Sequence, residues 1–182
     1  MLPLALSLAL ASDPSALVAS ARRQIGVTFR YDGAYVRLGY PGGDVPLDRG
    51  VCTDVVIRAL RDQGHDLQRL VHEDRRRAGT AYPNLWNQRG LDRSIDHRRV
   101  PNLATFFTRH GVVLPRSRTP SDYRPGELVT WRLSSGLPHI GVVSDRLSPA
   151  GVPLVIHHLG GGVQEEDVLF AWPVTGRYRF PR

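Results

Sequence analysis

The spacing of apolar residues changes character once along this chain, at Gly111, and that change limits the folds open to it. Before Gly111 the apolar positions recur every three or four residues: Leu17, Val18, Ala21 and Ile25, then 52, 55, 56, 59 and 60, then Leu67, Leu70 and Val71, then Leu103, Phe106 and Phe107. That period belongs to amphipathic helices. Helix punctuation surrounds each run. Asp13-Pro14 and Pro101 open the first and last, Asp66 caps the third, and Gly64, Gly79 and Gly111 follow helix ends. Beyond Gly111 the pattern becomes short runs rich in Val, Ile, Trp and Tyr, at residues 127–133, 140–143, 153–158 and 174–180. Ser134-Ser135-Gly136, Ser148-Pro149-Ala150-Gly151 and Gly160-Gly161-Gly162 separate them. These read as antiparallel strands joined by turns. Helices first and strands after predict an α+β fold, with the helices packed on one side of a sheet.

The chain has 182 residues, 41% of them hydrophobic, which is enough for one well-buried core, and residues 13–182 are expected to form one domain. Residues 1–12 are an apolar run ending in Ala9-Leu10-Ala11, the small-x-small form of an export-signal cleavage site. The run is too short to span a bilayer and lacks the usual basic start. Two stretches have no clean period. Residues 26–48 carry Phe29, Tyr31, Tyr35, Leu38 and Tyr40 among glycines and prolines, and read as loop with at most a helical turn. Residues 80–100 read as a long excursion over the surface.

The formal charge is +7, and all 24 basic residues are Arg. Without Lys, phosphate-loop lysines and Schiff-base chemistry are excluded. The arginines are scattered and no aromatic-rich nucleic-acid motif accompanies them, so a solvated surface is favoured over a nucleic-acid site. Arg forks still suit carboxylate-rich or polyanionic partners.

The lone cysteine, Cys52, stands where Arg49-Gly50-Val51 gives way to the second helix. Unpaired N–H groups and the positive end of the helix dipole favour a thiolate there, although a single free Cys is more often a small buried apolar residue. A nucleophilic thiol needs a base and a group to orient that base. His139 opens one strand and His157-His158 close the next; in a hairpin these ends meet at one edge of the sheet. Alternation puts Val155 with His157 and Ile156 with His158, and does not by itself choose between the two histidines. The seven histidines show no His-Glu-x-x-His and no paired Cys, so a zinc site is unsupported. His72-Glu73-Asp74 reads as solvated charge and Asp96-His97 as a structural pair.

Three segments carry a family resemblance. Arg124 to Trp131 (RPGELVTW), Pro138 to Val143 (PHIGVV) and Val155 to His157 (VIH) resemble the "PGDLV", "HVGI" and "FIH" strands of NlpC-type, papain-like cell-wall cysteine hydrolases. Gly50 to Asp54 (GVCTD) stands where that superfamily has its "DCSG" nucleophile turn. The pattern from about residue 21 to 179 also resembles a family of exported bacterial proteins, a domain of unknown function placed in the same superfamily. The resemblance implies Cys52 as nucleophile, His139 as general base and acid, and His157 as the residue orienting His139. It further implies Tyr31 and Asp54 at the active-site wall, and His158 on the opposite face of its strand. A peptidoglycan or muropeptide substrate, no cofactor, no metal and a periplasmic or secreted location go with it. Acyl transfer at the same thiol, or non-enzymatic binding of cell-wall fragments, are the alternatives. Val51 replaces the usual Asp, Thr53-Asp54 replace Ser-Gly, and residues 65–110 exceed the minimal fold.

Overall fold

A computed structural model describes residues 13–85 and 90–182. The export-signal reading of residues 1–12, and Trp86 within the predicted excursion, lie outside the described residues. The described helices are α1 (Pro14–Arg22), α2 (Cys52–Arg61), α3 (Leu67–Arg77) and α4 (Val100–His110). The strands are β1 (Arg30–Tyr31), β2 (Arg49–Gly50), β3 (Val112–Val113), β4 (Leu128–Arg132), β5 (Pro138–Leu147), β6 (Pro153–His158), β7 (Val163–Glu166) and β8 (Val174–Arg179). The fold is α+β, as expected.

Six strands form one antiparallel sheet in the order β3-β8-β4-β5-β6-β7. Helices α1, α2 and α4 pack against β5, and Val55, Val56, Leu60, Leu103 and Phe107 meet Leu128, Ile140, Val142 and Ile156 in the larger core. The other face of the sheet buries Val129, Trp131, Val143 and Val155 beneath Tyr123 and Leu169, and the Trp131 indole N–H donates to the Leu169 carbonyl at 2.9 Å. Strand alternation divides these two sets, odd residues to one face and even to the other.

Helix ends follow local chemistry. Asp13 accepts from the Ser15 N–H with Pro14 in the first turn, Asp66 accepts from the Gln68 N–H, and Gly64 adopts a left-handed φ of 83° after α2. The first helix stops three residues earlier than its apolar pattern suggests. The N–H groups of Gln24 and Ile25 turn to the carbonyls of Ala21 and Arg22, and Ile25 ends up exposed. Within 26–48 no helical turn forms. A parallel pair, Arg30 with Arg49 and Tyr31 with Gly50, instead ties this segment to the approach to Cys52. Arg58, buried on α2, clamps the same loop: it donates to the Asp44 carboxylate, the Thr28 hydroxyl and the carbonyls of Val45, Pro46 and Arg49.

The 80–100 excursion is not a surface passage throughout. Ser94, Asp96, His97 and Arg98 are buried, and residues 96–98 form a 3-10 turn against α2 and α3. Asp96 pairs with Arg75 and accepts from the Asp92 N–H at 2.9 Å, while His97 Nδ1 is buried without a hydrogen-bond partner.

Candidate active site

Cys52 occupies the first position of α2. Val51 is extended at the N-cap and, lacking a polar side chain, makes no cap hydrogen bond of its own. Asp54 takes over: its carboxylate accepts the Val51 N–H at 2.7 Å, satisfying a donor that the helix start leaves open. Gly50 allows this approach, since a Cβ there would lie 3.0 Å from Asp54 Oδ2 and 3.1 Å from Asp54 Cβ. Space, rather than flexibility, is what Gly50 provides.

Asp54 does not line the active-site wall. It is 2% exposed, and beyond the Val51 amide its two oxygens take a forked pair of 2.9 Å bonds from Arg98 Nε and Nη2. Thr53 holds the same turn, donating its hydroxyl to the Arg98 carbonyl at 3.1 Å. The two residues that depart from the superfamily motif after the cysteine both grip the segment that exceeds the minimal fold.

His139 and His157 come together as the hairpin geometry requires. Val142 pairs with Ile156 and Val143 with Val155, which places the start of β5 beside the end of β6, and His139 Nε2 lies 2.8 Å from His157 Nδ1. Gly141, two residues after His139, lies against β6; a Cβ there would meet Val155 Cγ1 at 2.6 Å and His157 Cβ at 3.1 Å. Both rings belong to the face away from the helices, edge-on to Trp172, with Trp131 beside His139. His157 Nε2 lies 2.9 Å from Glu166 Oε2 on β7. Neither β7 nor a role for Glu166 in this group was legible in the sequence, where Glu165-Glu166 stands past a glycine turn. His158 points to the helix side, wholly buried, with its ring edge-on to Tyr31 at 4.9 Å and neither ring nitrogen hydrogen-bonded.

Cys52 and His139 line one cleft of about 570 Å³ at the sheet end where the β4–β5 turn and the segment after β6 meet the start of α2. Tyr31, Arg98 and Ser135 also line it, while Val51, Ile95, Val100, Leu137 and Leu159 make its walls largely apolar. Tyr31 is thus at the wall, positioned by its pairing with Gly50.

The electrostatics differ from the sequence expectation. The helix start does not yield a thiolate: burial pushes the Cys52 thiol up to about 12, and the nearby Asp54 charge adds to the rise. Backbone N–H groups of Ile140, Thr53 and Cys52 itself act in the opposite direction and offset only part of it. Burial likewise holds the His139 imidazole down at about 3, with His157 and His158 adding to the effect. At rest the cleft therefore holds a neutral thiol and a neutral imidazole. Burial also raises the Tyr31 phenol to about 12. No group of three or more His, Cys, Asp or Glu side chains placed to hold a metal ion occurs among the described residues, and no helix among them is long and apolar enough to cross a membrane.

With this geometry in view, comparison with known proteins places the chain. The sequence pattern of the family described as "Domain of unknown function (DUF1287)" matches residues 18–180. The chain belongs to the DUF1287 family. A relative, "Uncharacterized protein YijF" of Escherichia coli (strain K12), is 59% identical over 165 residues, covering 91% of this chain and 80% of that protein. Among solved structures, NlpC1 from Trichomonas vaginalis is similar, with a TM-score of 0.51 and 17% identity, over 95% of this chain. This DUF1287 chain spans about half, 46%, of that protein's length. The likeness shows an NlpC-type, papain-like fold.

Proposed function

We propose that this protein is a cysteine hydrolase that cleaves an amide bond in peptidoglycan stem peptides, working outside the cytoplasm. The observation that carries this reading is the shared cleft of Cys52 and His139, with His139 Nε2 held 2.8 Å from His157 Nδ1. That engagement leaves His139 Nδ1 as the ring nitrogen available to the cleft.

Because thiol and imidazole rest neutral, proton transfer accompanies attack. The Cys52 sulfur adds to the amide carbonyl carbon as its proton passes to His139 Nδ1. The oxyanion meets the backbone N–H groups at the start of α2, Cys52's own among them. His139 then returns the proton to the leaving amine, and a thioester remains. Water attacks this acyl-enzyme, giving a proton to His139; collapse releases the carboxylic acid and returns the proton to sulfur.

Incubation with muropeptides from purified sacculi, followed by mass spectrometry, tests the reading. Wild type is expected to release peptide fragments, and Cys52→Ala to lose several orders of magnitude in rate with the fold intact. Equal cleavage by both proteins would sink the hydrolase. Acyl transfer at the same thiol is favoured as a second reading by the apolar walls, Leu137 and Leu159 among them, which shield a thioester from water. Ligation of a supplied amine, seen by mass, would select it.

A further inference from the structure

We propose that Glu166 is a positioning residue: through His157 it fixes the tautomers of both imidazoles, so that the bare nitrogen of His139 is the one at the cleft. The inference rests on the reading of Cys52 and His139 as nucleophile and base.

The argument is a count of protons along one chain of contacts. A carboxylate only accepts hydrogen bonds, so the 2.9 Å contact between His157 Nε2 and Glu166 Oε2 places the His157 proton on Nε2. A neutral His157 then has a bare Nδ1. That atom lies 2.8 Å from His139 Nε2, which must therefore carry the hydrogen between them. A neutral His139 in turn has a bare Nδ1, the lone pair that a thiol proton requires. Burial keeps both rings on the neutral side of the ordinary histidine range. The opposite arrangement would set a bare His157 Nε2 against a carboxylate oxygen, two acceptors with no proton between them.

Surrounding groups are consistent with this polarity. Gln164, with its amide nitrogen turned to Glu166, donates to both carboxylate oxygens at 3.2 and 3.3 Å. The titratable groups bearing on the two rings are Glu166 from β7 and His158 from β6, and Trp131 and Trp172 cover their remaining faces. When His139 accepts the thiol proton, the His157 lone pair, polarised by Glu166, receives the hydrogen bond of the new imidazolium. Glu166 itself is 44% exposed in its side chain, so replacing it leaves the core untouched.

The test compares Glu166→Asp, Glu166→Ala and Glu166→Gln with wild type and Cys52→Ala. Two readouts are used: cleavage of purified muropeptides across pH, and iodoacetamide alkylation of Cys52 followed by mass spectrometry. Asp keeps the acceptor and retains most activity. In the Ala variant a water that can donate or accept takes its place. In the Gln variant the Gln164 amide nitrogen, which donates to the carboxylate at 3.2 and 3.3 Å in the native protein, holds the new amide oxygen, so its NH2 is left to donate to His157 Nε2 and favours the wrong tautomer at His139; Gln is expected to be the slowest. The kcat loss there is at least about 100-fold with KM little changed, and the acid limb of the profile moves to lower pH. A merely structural role predicts the reverse order, with Gln nearest to wild type. A Gln variant faster than Ala, or with an unmoved acid limb, overturns the inference. If wild type cleaves no muropeptide while alkylation still follows the order wild type, Asp, Ala, Gln, the substrate assignment fails and the role of Glu166 stands.

Discussion

Arg98 closes on Asp54 through two hydrogen bonds of 2.9 Å, both side chains almost wholly out of water. The pair joins the turn that carries Cys52 to a segment 44 residues further on, and it explains why an aspartate two positions after Cys52 belongs to the scaffold. A planar guanidinium suits this site because its fork matches both carboxylate oxygens.

Removing one partner strands the other. Arg98→Ala leaves a buried carboxylate with only the Val51 amide, and a loss of about 3–5 kcal/mol is expected in urea unfolding. Arg98→Leu combined with Asp54→Leu should cost less than the sum of the single changes, because no charge is left unpaired.

Gly141→Ala forces a methyl group against Val155 and His157. Overpacking of this kind costs about 1–3 kcal/mol in thermal or chemical unfolding. The cleavage rate should fall further than stability alone accounts for, since the displaced residue is the one that holds His139. Muropeptide cleavage well below the melting point checks this.

Stability should be flat between about pH 6.5 and 9 and fall on either side. The native imidazoles of His139 and His97 are held down at about 3 and 4 by burial, and those of His65, His72 and His157 are also lowered. An unfolded chain takes up protons on them near 6.5, so their contribution is complete above that value and is lost as pH falls toward 4 and 3. Cys52 behaves oppositely: its thiol, ordinarily at 9.0, is held up at about 12, so its contribution is complete below 9 and is lost as pH rises toward 12. Unfolding midpoints across pH 4 to 11 measure both limbs, and Cys52→Ala should make the alkaline one shallower and start it nearer pH 10, where the raised Tyr31 phenol takes over.

Arg58→Ala removes the donor that satisfies Thr28, Asp44 and three loop carbonyls. A loss of about 1–3 kcal/mol is expected, since loop carbonyls such as that of Val45 lose their donor while Asp44 keeps Arg61 and the Pro46 carbonyl keeps the Arg49 N–H. The approach to Cys52 should loosen as well, seen as faster proteolysis within residues 44–49.

Much of the architecture was readable from local pattern. Apolar spacing located the four helices, capping residues gave most of their ends, and alternation with intervening turns gave β4, β5, β6 and β8. The short strands β1, β2, β3 and β7 escaped notice because two to four residues are too few to show a period. Ile25 was misplaced because a tight turn took over where the apolar spacing still continued.

For the candidate site, Cys52, His139 and the His157-His158 pair could be named from the sequence because a helix start and two adjacent strand ends are local features and the hairpin rule brings the strand ends together; the choice of His157 over His158 came through resemblance. Tyr31 came only through resemblance. Arg98 and Glu166 carried no local signal: one lies in an aperiodic stretch, the other on a strand too short to recognise. The charge state of the thiol was decided by tertiary structure alone. A helix dipole can be read from sequence, but the burial that outweighs it and holds Cys52 at about 12 depends on what covers the sulfur. Pattern thus determined which elements form and which chemical groups stand at their ends. Packing decided which of those groups meet, which carboxylate each cation holds, and which protons they keep, because those depend on distance and exclusion of water between segments far apart in the chain.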